Sequence, residues 1–118
     1  MLNNENMRSG EGLQKAQEWV KRVVAENPAR YKVVCEHYQW FFGNDGKESQ
    51  YSRWSKLFDE LGVNLALAGN NHIYVSTPAL YDGKPLGQVK SGKIEQNTTG
   101  TVYIQTPSSD NERGVAFD

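Results

Sequence analysis

The coordination chemistry this chain offers rests on three side chains. His37 follows the apolar run "YKVVCE", and His72 follows "LALAGNN". They are the only two histidines among 118 residues. Asn70 stands two positions before the second. Imidazole nitrogen and amide oxygen both bind borderline divalent metals, the amide being the weaker donor. A plainer outcome stands beside this one. A histidine at a strand end is more often a hydrogen-bonded structural group, and Asn70 and Asn71 suit a turn, because asparagine tolerates the left-handed region. No aspartate follows either strand at the place a hydrolytic metal centre would need one. Glu36 adjoins His37, but strand alternation turns it to the opposite face.

These residues become a site only if the elements around them bring them together. Ser9 is a fitting helix N-cap for "GEGLQKAQEWVKRVVAENP". Leu13, Ala16, Trp19, Val20, Val23 and Val24 give one apolar stripe, and Pro28 ends the helix. Gly10 and Gly12 weaken its first turn. Tyr31 to Glu36 has a β-branched centre and little alternation, which predicts a strand covered on both faces. "GNDGK" is a turn cluster. In "SQYSRWSKLFDELG" a second stripe runs through Tyr51, Trp54, Leu57, Phe58 and Leu61, and Gly62 stands where a C-terminal glycine should. "VNLALA" is the second strand, broken by Gly69. Residues 13 to 68 therefore read helix, strand, helix, strand, which implies parallel neighbours joined by a right-handed crossover. Adjacent parallel strands lie about 4.8 Å apart. Ligands of open α/β sheets bind beyond the strands' carboxyl ends. The loops carrying His37 and Asn70–His72 would share that edge.

From residue 73 the grammar changes. "IYVSTP", "LYDGKPLGQVKSGKI" and "GTVYIQTP" are short strand segments separated by turns such as "DGKPLG" and "QNTTG". They read as an antiparallel extension or β-rich flap. The chain is of one-domain size. Its 37% hydrophobic content predicts a thin core, as does a mean hydropathy of −0.71. With 13 basic and 14 acidic residues and a net charge of −1, neither nucleic acid nor an anionic membrane is a favoured partner. Cys35 is the single cysteine, so no intrachain disulfide forms, and it reads as a small buried hydrophobe. No run of apolar residues suffices for a membrane span, and "MLNNENMRSGEG" has none of the apolar segment of a signal peptide. That polar start reads as the interior of a longer protein.

The order of "KVVCEHYQWFFG", a helix, "LFDELGVNLALAGNNHIYVSTPALYDG" and "GTVYIQTP" resembles the C-terminal half of a calcineurin-like metallophosphoesterase. Purple acid phosphatase-like members are most similar. The resemblance covers roughly residues 13 to 107. It implies an α/β fold, half of a metallophosphoesterase sandwich. Residues 1–9 would be a flexible lead-in, 10–72 an αβαβ part with two ligand loops, and 73–118 a β-rich part. By the same resemblance, "HYQWF" stands for the family's His-x-Pro-Trp-Tyr, so His37 matches a ligand of one metal, with Gln39 in place of the proline. Asn70 stands at the first histidine of Gly-His-x-His, which binds that same metal. His72 matches the second histidine, a ligand of the other metal. Tyr74, Thr77 and Pro78 continue the pattern, while Ser76 takes the usual arginine position.

The resemblance implies two divalent or trivalent metal ions (Mn, Zn, Fe or Mg) and a phosphate-ester substrate hydrolysed by metal-activated water. The family's remaining ligands come from Asp-x-His, Gly-Asp and Gly-Asn-His segments, which this chain lacks. Without a bridging carboxylate, weak single-metal binding is the expectation, and Asn70 weakens one site further. The competing function is a non-catalytic module with a degenerate site, in which the aromatics of "HYQWFFG" hold a sugar or peptide. A third reading is an incomplete fold whose exposed sheet edge invites self-association.

Overall fold

The computed structural model describes residues 1–3, 7, 9–42, 50–70, 72–86, 99–107 and 116–117. Its first helix, α1, spans Gly10–Glu26. Ser9 caps it as expected, accepting a hydrogen bond from the Gly12 N–H at 3.0 Å. Two glycines do not break the first turn, because that cap satisfies a donor the helix cannot satisfy itself. The second helix, α2, spans Tyr51–Leu61 and ends on Gly62, whose φ of 66° is left-handed. Its first N–H groups are held by the preceding loop: Gln50 and Tyr51 donate to the carbonyls of Gln39 and Trp40, both at 3.1 Å.

Among the described residues seven strands form. They are β1 (Val33–Cys35), β2 (Leu65–Ala68), β3 (Ile73–Ser76), β4 (Leu80–Tyr81), β5 (Lys84–Pro85), β6 (Val102–Gln105) and β7 (Ala116–Phe117). Five make one mixed sheet in the order β1-β2-β6-β3-β7. The fold class is α/β. As anticipated, β1 and β2 run parallel with α2 between them. The last strand of "GTVYIQTP" departs from expectation. Instead of lying in a flap, β6 sits in mid-sheet, parallel to β2 and antiparallel to β3. β4 and β5 form a separate hairpin. Its Asp82-Gly83 turn has φ of 49° and 72°, the paired positive values that asparagine, aspartate and glycine supply. The hairpin is pinned to α2, since the Asp82 N–H donates to Asp59 Oδ2 at 2.9 Å.

Alternation and register divide the sheet into two faces. Val34, Ala66 and Tyr103 align on one. Against them pack Val20 of α1 and Trp54, Leu57 and Phe58 of α2. Val33–Leu65–Val102 and Cys35–Leu67–Ile104 align on the other. Covering of β1 on both faces is therefore not observed among the described residues: Val33 is 56% exposed, because both helical stripes are spent on the same side. Trp19, expected in the α1 stripe, is 45% exposed. Leu2 and Met7, within the expected lead-in, are buried in the core. The Leu2 N–H donates to the Cys35 carbonyl at 2.8 Å, occupying part of the outer edge of β1.

The core is aromatic. Trp40, Trp54 and Phe58 are wholly buried, and Tyr103 nearly so. Trp40 meets Phe58 and Tyr103 edge-on at 5.7 and 5.5 Å. Such pairs add about 0.5–1.5 kcal/mol each beyond area burial. The Trp40 indole N–H donates to the Ala66 carbonyl at 3.0 Å. That bond fixes the loop after β1 onto the middle of β2. The expected turn at 43–47, the segment 87–98 and Asn71 lie outside the described residues.

Candidate metal centre

Because β1, β2 and β6 are parallel, their carboxyl ends finish at one edge. Backbone hydrogen bonds continue past the strands there. Glu36 donates to Leu67, Gly69 to the His37 carbonyl and Thr106 to the Ala68 carbonyl, each at 3.0 Å. Gly69 thus lies between the loops after β1 and β6. β3 runs antiparallel to β6, with Val75 opposite Gln105. Its first residue, and His72 before it, consequently return to the edge where β6 ends. The topology ends the segments that carry His37, Asn70 and His72 at one edge of the sheet.

Their environments differ. The His37 side chain is exposed, with its ring 5.5 Å from that of Tyr38. His72 is half-buried. Asn70 is half-buried and has a φ of 61°, a conformation that asparagine and histidine both enter more readily than most residues. Its side-chain nitrogen donates to Gln39 Oε1 at 2.8 Å. Gln39 is only 2% exposed. Glu36, which alternation turned away from His37, is buried as well.

Buried amides lie under this rim, Gln39 and Gln105 among them. Gln39 supports Asn70 from the loop after β1. Gln105, at the end of β6, accepts the Phe41 N–H on Oε1 at 3.2 Å. Residues 39 to 41 are tied in this way to β2, β6 and the start of α2. The signal in the sequence is a single glutamine inside the aromatic run "HYQWFF". Below the amides, burial pushes the Tyr103 phenol well above its ordinary range, with the neighbouring Tyr51 and Asp59 adding to the shift. Tyr51 is raised too, first by burial and then by Asp59.

The donor set decides what cation the rim suits. Two imidazoles and one amide oxygen are neutral donors, which fit a single borderline divalent ion. Among the described residues no three His, Cys, Asp or Glu side chains converge as a metal site. Two adjacent cations need carboxylate charge to offset their repulsion, so these residues do not by themselves fit a two-metal centre. Among the described residues no helix is long and apolar enough to cross a membrane. No protein-family model matches the chain, and no solved structure matches it.

Proposed function

We propose that this chain forms one wall of a metal-dependent phosphoesterase centre, the C-terminal part of a metallophosphoesterase-like α/β domain. The observation that carries the reading is the common carboxyl edge of β1, β2 and β6, with the loops of His37, Asn70 and His72 upon it. His37 and His72 would hold one divalent cation through imidazole nitrogen, and Asn70 through its side-chain oxygen. When bound, such an ion polarises a phosphoryl oxygen and lowers the pKa of water. The chain's own part is to hold these donors on a rigid edge. Gly69 is fixed to His37 through the backbone, and Asn70 to Gln39 through its amide. Further carboxylate ligands are needed for efficient hydrolysis of a phosphate ester.

The test measures Mn²⁺ and Zn²⁺ content and p-nitrophenyl phosphate turnover, for this chain and for any longer translation product that contains it. The reading predicts weak metal binding by this chain and hydrolysis by the longer product. A folded longer product that binds metal nowhere and turns nothing over would sink it.

The Asn70–Gln39 hydrogen bond favours a second reading, a non-catalytic module of the same fold in which an amide pair replaces a lost metal ligand. Asn70→His separates the two. Tighter metal binding favours the metal centre, and unchanged binding favours the module.

A further inference from the structure

The Asn70 amide has two ends of opposite character. Only its oxygen can bind a cation, while its NH₂ group repels one. In a turn without other support such an amide rotates freely, and half of its orientations present the wrong atom. Here the nitrogen is engaged: Asn70 Nδ2 donates to Gln39 Oε1 at 2.8 Å. Oδ1 is the end of the amide that Gln39 does not engage. Among the described residues no donor takes that oxygen.

Gln39 is itself held firmly. It is 2% exposed. Its backbone carbonyl accepts the Gln50 N–H at 3.1 Å. The next residue, Trp40, is wholly buried and bonded through its indole to Ala66. The acceptor oxygen that faces Asn70 therefore belongs to a rigid loop fixed on β2 and α2. Resting on the metal-centre reading above, we infer that Gln39 is a positioning residue, which pins the Asn70 amide by its nitrogen so that its oxygen is the atom offered to a divalent cation. Outer partners of this kind orient metal ligands and sustain affinity without touching the ion.

A double-mutant cycle on the whole chain tests this, read by Mn²⁺ binding from the electron paramagnetic resonance signal of the free ion. Gln39→Met keeps the length of the side chain and removes the acceptor. It is expected to weaken Mn²⁺ binding about tenfold, with unchanged far-ultraviolet circular dichroism. In an Asn70→Ala background the same substitution is expected to change nothing further, because Gln39 acts through Asn70. A general structural role would instead lower affinity equally in both backgrounds, and that result, or an unaltered Gln39→Met, overturns the inference. Gln39→Glu is the second variant. Its carboxylate can only accept, so it holds Asn70 in the same orientation and should bind Mn²⁺ at least as tightly as the wild type; loss of binding in a folded Gln39→Glu protein also overturns the inference. His72→Ala keeps the two failures apart. If it abolishes binding while Gln39→Met does not, the positioning role falls and the metal centre stands. If the wild type and His72→Ala bind Mn²⁺ alike, or neither binds it, the metal centre falls and takes the positioning role with it.

Discussion

Asn70 Nδ2 and Gln39 Oε1 lie 2.8 Å apart, joining the turn after β2 to the buried loop after β1. A glutamine at 39 supplies an acceptor, and an asparagine at 70 supplies the matching donor. Asn70→His puts an imidazole at a position whose φ of 61° histidine tolerates. Gain of a stronger donor is expected to raise Zn²⁺ affinity about tenfold, measured by competition with a chromophoric chelator.

Trp40 couples the candidate site to the core. Its indole donates to Ala66, and its ring contacts Phe58 and Tyr103. Trp40→Phe removes the donor, leaves the Ala66 carbonyl without that bond and opens a small cavity. A loss of about 2–3 kcal/mol is expected, read as a lower urea midpoint with unchanged slope.

Gly100 precedes the bridge between Thr101 and Leu80. It has a φ of 86°, and a β-carbon there would come within 2.8 Å of Leu86 Cδ1 and 3.1 Å of the Leu80 carbonyl oxygen. The carbonyl cannot retreat without losing its hydrogen bond from Thr101. Gly100→Ala combines a left-handed backbone with this crowding, so a loss of about 2 kcal/mol is expected in thermal or urea unfolding.

Helix ends were the most legible part of the sequence, because each is marked by a residue with a local job. Ser9 supplies an oxygen to an orphan N–H, and Gly62 accepts a left-handed turn. The parallel pairing of β1 and β2 was legible from the helix between them. The place of β6 was not. Its four residues look alike for a flap and for a central strand, and the partner that decides, β2, lies far away in the chain. Apolar runs also do not say which face a helix will choose. Val33 is exposed for that reason, whereas Ala66, also on a short apolar strand, is wholly buried. The shared carboxyl edge of β1 and β2, where the segments of His37, Asn70 and His72 end, was legible from strand order alone. The amide layer beneath them was not, since Gln39 and Gln105 acquire their meaning only from partners brought in by the fold.

Burial raises the Tyr103 phenol above its ordinary value of 10.0, so alkaline stability carries a definite sign. Below about pH 10 the phenol is neutral in both folded and unfolded chains, and its contribution is fully present. Above that the unfolded chain loses the proton first, and stability falls as pH rises toward the folded value. Urea unfolding between about pH 8 and about pH 11 is expected to show this decline. Tyr103→Phe should flatten it, with Tyr51, raised in the same direction, leaving a smaller residual slope.

The most direct measurement is calorimetric titration of the chain with Mn²⁺ or Zn²⁺, alongside His37→Ala and His72→Ala. A shared metal centre on the carboxyl edge predicts one weak site per chain, weakened at least about tenfold by either substitution. Equal binding by all three proteins, or no binding by the folded wild type, would contradict it.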